Sequence, residues 1–182
     1  MRLIAGELGG RRLKTVMDAD LRPAMGKTRE ALFSLLEAKG IEWENVTALD
    51  LFAGCGSLGF ECVSRGAKRA DFVENAQKQY EILRWNAENL GIFNRCGIYK
   101  QDVPRFLRQS PFQPYNLIFL DPPYGRNYAN KCLESLVSRQ WLANKPIIIA
   151  EVEKYIEPKL PESLAAPEKR VFGQTSVYIW NL

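Results

Sequence analysis

Histidine does not occur in this chain of 182 residues. Its absence removes the commonest general base and the commonest neutral metal ligand, which excludes Ser-His and Cys-His catalytic pairs. Cysteine is sparse: Cys55, Cys62, Cys96 and Cys132 are the four, and no two stand as C-x-x-C. A metal site is therefore not expected. The cysteines read as small apolar residues of a reducing compartment. No apolar run approaches the ~18 residues of a membrane span. The opening MRLIAGELGG lacks the apolar stretch of a secretory leader. A cytoplasmic protein is expected. Repeats and low-complexity tracts are missing too. What remains, 46% hydrophobic and 25% charged, is an ordinary globular mixture long enough to bury a core.

Acidic charge is scarce at one end only. Residues 1–29 hold seven Lys/Arg against three Asp/Glu, whereas residues 30–182 hold eighteen of each. The whole net charge of +4 sits in the first sixth of the chain. Such an arm suits a polyanion, although a solvated surface hairpin reads equally well from charge alone.

Gly6, Gly9 and Gly10 flank two strand-like pieces, RLIAG and RRLKTV, which together read as a hairpin. A helix is expected from about Thr28 to Lys39, stopped by Gly40. Strand-like and helix-like segments then alternate: VTALDLF, LGFECVSRG, RADFVE, a helix opened by an Asn75 cap and closed by Gly91, CGIYKQD, VPRFLRQ, YNLIFLD, YANKCLESLVSRQ and PIIIAEVE. The tail EKRVFGQTSVYIWNL reads as a closing hairpin. Alternation of this kind predicts an α/β protein, a mostly parallel sheet with helices on both faces and an antiparallel end. Two parts are expected: a basic extension over residues 1–40 and a main domain over 41–182.

Ligands of such sheets bind beyond the carboxyl ends of the strands. Acids stand at four of those ends: Asp50, Glu74, Asp102 and Asp121. Between the first strand and its helix lies Gly54-Cys55-Gly56-Ser57-Leu58-Gly59, a G-x-G-x-x-G loop, and Glu74 follows where a ribose-binding acid belongs. This fits a nucleoside-containing cofactor. Asp50 narrows the choice, because a carboxylate repels a pyrophosphate but attracts an ammonium. S-adenosylmethionine carries an ammonium, a ribose and an adenine. The loop Asp50, Phe52, Ala53, Gly54, Gly56 and Gly59 is then its cradle, and Glu74 its diol acceptor. Asp102 faces the adenine amine, and Val103 with Asn75 and Ala76 flanks the ring. The bland role for Asp102 is a helix cap.

The segment NLIFLDPPYGRN runs a buried strand into Asp121, Pro122, Pro123 and Tyr124. Proline lacks an N–H and fixes φ, so the corner is stiff and its carbonyls have no ladder partner. With the Asp121 carboxylate they form a row of acceptors for an exocyclic NH2. Tyr124 offers a face for base stacking, worth ~1–3 kcal/mol. Two accepted N–H bonds localise the amine lone pair, and positioning then suffices for attack on an activated methyl.

Together the glycine loop, the acids after the second and third strands and D-P-P-Y after the fourth resemble the class I amino-methyltransferases, a Rossmann-like fold. MRLIAGELGGRRLKT, LRPAMGKTREALFSLL and LDLFAGCGSLGFECVSRGA are similar to the bacterial 16S rRNA guanine-N2 methyltransferases. The likeness runs from Arg2 to the closing GQTSVYIW. It implies S-adenosylmethionine as methyl donor, guanine 966 of 16S rRNA as target, and a substrate that is free rRNA or an assembling small subunit. It also implies Asp121, Pro122, Pro123 and Tyr124 at the target amine. Arg11, Arg12, Lys14, Arg22, Arg29 and Arg126 are the candidates to grip RNA phosphates. The chain departs from the family at Ala24, where threonine is usual, and at Gly26-Lys27, where Asp-Arg is usual. A monomer is expected. DNA adenine or cytosine amino-methyltransferases share the tetrad but need a sequence-reading insertion that is not seen here. Two further classes are open to such a sequence, a nicotinamide-dependent oxidoreductase and a non-catalytic RNA-binding module; Asp50 and the lack of histidine weigh against the first, the intact motifs against the second.

Overall fold

Strands and helices alternate along the chain as the sequence predicts. In the computed structural model, which describes residues 1–16, 23–123, 128–155, 157–158 and 166–181, helix α1 spans Pro23–Ala38, followed by β1 (Thr47–Leu51), α2 (Ser57–Ser64), β2 (Arg69–Glu74) and α3 (Gln77–Leu90). Then come β3 (Cys96–Lys100), α4 (Val103–Leu107), β4 (Tyr115–Leu120), α5 (Tyr128–Ser138), β5 (Leu142–Glu153), β6 (Glu168–Phe172) and β7 (Thr175–Asn181). Helix α1 starts five residues before the expected Thr28. Its first residue is Pro23, and a proline costs nothing at a position whose N–H has no helical partner.

The seven strands form one sheet in the order β3-β2-β1-β4-β5-β7-β6. Strands β1 to β5 run parallel, and β7 returns antiparallel beside β5 with β6 on its outer edge. The chain enters the sheet at its middle, winds outward to β3, then crosses back to β4. The strand order therefore reverses between β1 and β4, where open sheets leave a crevice at their carboxyl edge.

Period-two alternation sends successive side chains to opposite faces. Ala48, Phe72, Leu117, Phe119 and Ile149 pack with Leu32, Phe33 and Leu36 of α1, with Phe60 of α2 and with Leu83 of α3. Leu49, Leu51, Ile118, Leu120 and Ile148 pack on the other face with α4, α5 and Trp141. Asp50 sits at the same parity as Ala48, and Asp121 at that of Phe119. Both carboxylates therefore belong to the face that α1 and α2 cover.

The N-terminal segment is hairpin-like, with a single antiparallel bridge between Arg2 and Arg12. It is also tied to α2. The buried Glu61 carboxylate accepts the N–H groups of Ile4 (2.7 Å) and Ala5 (3.0 Å). Leu3 and Leu13 join the same apolar cluster as α1. Gly6 has φ +81°, and a Cβ there would lie 1.8 Å from the Ser64 carbonyl oxygen, so only glycine allows this approach. No helix among the described residues is long and apolar enough to cross a membrane.

Candidate active site

The glycine loop and the second strand are fastened to each other. Glu74 ends β2 and is 9% exposed. Its Oε2 accepts the Gly54 N–H at 3.0 Å, and its Oε1 accepts the Ala76 N–H at 2.8 Å. One side chain thus sets the spacing between the loop and the start of α3. The Ala76 bond also explains a departure from expectation. Asn75 is exposed and does not cap α3. Ala76 occupies the cap position without a side-chain bond, and Glu74 serves the free N–H instead.

Each glycine of the motif has its own cause. A Cβ on Gly59 would lie 2.3 Å from the Phe72 ring, and one on Gly56 would lie 2.4 Å from the Phe60 ring. Gly59 lets α2 pack down on the sheet, and Gly56 makes room for the Phe60 ring and for Leu83 of α3. Gly54 differs: its φ is +57° and a Cβ would meet nothing within 4 Å. That surface of the loop faces open space, as the approach of a ligand to backbone requires. Phe52, just before the loop, also has positive φ (63°), a strained conformation for an aromatic residue. Its ring packs on Tyr128 at 5.5 Å, which fixes the turn out of β1.

Asp50 is 2% exposed. Its Oδ2 accepts the Gly59 N–H at 3.0 Å. Burial pushes its pKa up to about 8; the Gly59 bond opposes the shift, and the negative neighbours Asp121 and Glu74 add to it. Leu120 pairs with Leu51 on one side and Ala150 on the other. One residue further along, Asp121 and Glu151 lie at the same level of adjacent strands. Burial, then the charge of Glu151, raises the Asp121 pKa to about 7. Burial raises Glu151 as well, against the Thr175 hydroxyl that hydrogen-bonds it. By contrast, Asp71 in mid-strand is a satisfied structural acid. It accepts from Tyr115 Oη (2.6 Å), Arg69 Nε (2.7 Å) and Gly97 N (2.9 Å).

Asp121 and Glu151 open into a cleft between the sheet edge, α1 and the start of α2. Phe119, Ile149 and Val177 floor it, Thr28, Arg29 and Leu32 form one wall, and Ser57 and Leu58 another. Three poorly hydrated carboxylates at one sheet edge make a site that gains from a cation carrying N–H donors. Glu151 was missed by sequence reasoning. The signal was present in PIIIAEVE, an acid at a strand end like the other four, but only the register sets it beside Asp121.

Other expected residues lie as follows. Asp102 caps α4, its Oδ1 accepting the Arg105 N–H at 3.1 Å. Val103 is buried at 2% in the second apolar cluster. Pro122 is buried and Pro123 exposed. Tyr124, Arg126 and Arg22 lie outside the described residues. Cys62, Cys96 and Cys132 are buried, whereas Cys55 in the glycine loop is half-buried.

The basic residues divide into two groups. Arg11, Arg12 and Lys14 are exposed. Arg11 Nη2 donates to the Asn89 carbonyl at 2.8 Å, and Lys14 Nζ lies 5.2 Å over the half-exposed Trp85 ring. Beside them on α3, Arg84 lies over the exposed Phe93 ring at 5.6 Å. Cations interleaved with exposed aromatics can hold phosphates and stack bases. Arg29 is different. It is only 8% exposed and lines the cleft, so it does not stand with the outward-facing phosphate candidates.

A family model described as Conserved hypothetical protein 95 matches residues 1–181. Ribosomal RNA small subunit methyltransferase D of Buchnera aphidicola is 32% identical over 98% of this chain and 91% of its own length. The protein of the same name from Haemophilus influenzae is 31% identical over 100% of this chain and 93% of its own length. The solved structure of yhhF from Escherichia coli has a TM-score of 0.87 at 30% identity, covering 100% of this chain and 97% of the other. The match extends over both the basic N-terminal segment and the acid-lined sheet edge, and the chain belongs to the ribosomal RNA small subunit methyltransferase D family.

Proposed function

We propose that the chain transfers a methyl group from S-adenosylmethionine to the exocyclic N2 of a guanine in 16S rRNA, guanine 966 in the family's numbering. One observation carries the reading: Asp121, held by the stiff Pro122-Pro123 corner, shares a cleft with Glu151 at the carboxyl edge where the strand order reverses. The residues present fit the donor. Gly54 leaves its outward side open, Glu74 is anchored by two backbone N–H groups with lone pairs to spare, and Asp50 is a buried acid suited to an ammonium. A pyrophosphate there would meet repulsion from Asp50, which argues against a nicotinamide cofactor.

S-adenosylmethionine supplies the electrophile, a methyl group already activated on sulfonium. The chain's own task is to position and polarise the acceptor amine. The Asp121 carboxylate and the carbonyls of the diproline corner accept the two N–H bonds of the guanine NH2, drawing the nitrogen from planar toward tetrahedral. The carboxylate also offsets the positive charge that grows on nitrogen as the N–C bond forms and the sulfonium C–S bond breaks, after which one N2 proton passes to the carboxylate or to water. Arg11, Arg12 and Lys14, with Trp85 nearby, hold the RNA by phosphates and stacking.

The test is methylation of 16S rRNA, free and within small-subunit particles, with the modified base mapped. The wild-type chain is expected to methylate one guanine at N2. Asp121→Ala is expected to lose more than 100-fold in kcat while S-adenosylhomocysteine affinity stays within about threefold, because one well-placed charge acceptor is worth ~3 kcal/mol or more in the transition state. Wild-type turnover in that variant would dismiss the acceptor role. Methylation of adenine or cytosine would redirect the substrate assignment.

A further inference from the structure

Arg29 is an anomaly for a structural residue. It lies on α1, is 8% exposed, and its Nη2 donates to the Arg2 carbonyl at 2.5 Å. Its Nε and Nη1 are buried and have no hydrogen-bond partner among the described residues. A guanidinium stays charged even when burial lowers its pKa. A buried cation with two unused donors is costly, and a fold that retains one holds it ready for an anion. Its surroundings locate that anion. Arg29 lines the cleft together with Ser57 and Leu58, the first residues of the eight-residue helix α2. The α2 start already carries one acid, since the Asp50 carboxylate accepts the Gly59 N–H.

The cleft is therefore bipolar. Asp121 and Glu151 make one wall negative; Arg29 makes the other positive. A ligand with an ammonium and a carboxylate on one carbon would fit with its carboxylate on Arg29 and its ammonium toward Asp50, which stands just behind the α2 start, bonded to Gly59, leaving Asp121 to the acceptor amine. We infer that Arg29 binds the α-carboxylate of the methyl donor's amino-acid end and is the positioning residue that sets how far the donor reaches toward Asp121. A guanine O6 would also accept from Arg29, but a neutral carbonyl adds no opposite charge to the influence of Glu61. A charge-assisted, bidentate pair is about twice as strong as a neutral one. The inference rests on the donor-site reading above.

The test compares two probes by calorimetry. S-adenosylhomocysteine carries the amino-acid end, whereas 5′-methylthioadenosine has the same nucleoside and thioether without it. For Arg29→Met, S-adenosylhomocysteine should bind about 10- to 100-fold more weakly, with 5′-methylthioadenosine unchanged within about twofold. Arg29→Lys, which keeps the charge but not the fork, should fall in between. If Arg29→Met does not fold, the lysine variant carries the same split. Equal weakening of both probes would mean a merely structural role and overturn the inference. Unchanged S-adenosylhomocysteine affinity with slower turnover on RNA would overturn it in favour of the base. A wild-type chain that binds neither probe would instead sink the donor-site reading, and this inference with it.

Discussion

Replacing Asp50 with asparagine should make the ligand-free protein more stable at high pH and a weaker binder of its cofactor. The carboxyl is 2% exposed, and its pKa is raised from 3.8 to about 8. A raised acid binds its proton more tightly in the folded state than in the unfolded one. Its stabilising contribution is complete below pH ~4 and is lost as pH rises through the folded value near 8. Moving the carboxyl from 3.8 to about 8 corresponds to a ceiling of about 6 kcal/mol at ~1.4 kcal/mol per pH unit. Even a third of that, about 2 kcal/mol, is roughly 4–8 °C in Tm for a chain of this length. Asparagine keeps an oxygen for the Gly59 N–H but never ionises. Melting curves from pH 5 to 8.5 should show wild type losing stability across this range and Asp50→Asn losing much less, with the two similar near pH 5. Asp121 and Glu151 contribute a slope of the same sign in both proteins, so the difference isolates Asp50. The same substitution removes a charged partner for the donor's ammonium, worth ~1.5–3 kcal/mol, and should weaken S-adenosylhomocysteine by roughly 10- to 150-fold. Parallel pH slopes for the two proteins, or undiminished affinity, would refute the assignment.

Glu151→Gln removes the negative neighbour of Asp121, so the acid limb of kcat/KM, expected near the raised Asp121 value of about 7, should move to lower pH; an unmoved limb would deny the coupling. Reversing Arg11 and Arg12 to glutamate should weaken RNA binding and make its salt dependence shallower, by ~0.7–0.9 in the log–log slope per lost phosphate contact, read from binding curves at several salt concentrations. Gly59→Ala drives a methyl into the Phe72 ring and should cost ~1–3 kcal/mol of stability in chemical denaturation. Gly54→Ala meets no neighbour, costs only the ~1–2 kcal/mol of a left-handed residue, and should instead depress S-adenosylhomocysteine affinity.

Periodicity and punctuation carried most of the architecture. Apolar runs bounded by Gly40, Gly66 and Gly91 marked the elements, and their alternation dictated a parallel sheet because two-sided burial leaves strands no polar face. The end of α1 was legible for the same reason, while its start was not, since Pro23 reads as a breaker or as a first helical residue with equal ease. The acids gathered at the carboxyl edge of the sheet were legible because acids are rare at the ends of buried strands, so Asp50, Glu74 and Asp121 stood out in one dimension.

Pairing across the chain was not. Glu151 became a neighbour of Asp121 only through the register of β5 on β4, and no local pattern encodes register between strands thirty residues apart. Arg29 looked like one more cation of a basic arm. Its sequence neighbourhood is polar, and only the packing of α1 on the sheet, with Leu32, Phe33 and Leu36 buried beside it, turns it inward. Local sequence sets which residues are apolar, stiff or charged, because those properties belong to each side chain. Which charges meet depends on the fold's closure in space, and there the desolvation that raises Asp50 and leaves Arg29 without full partners is decided.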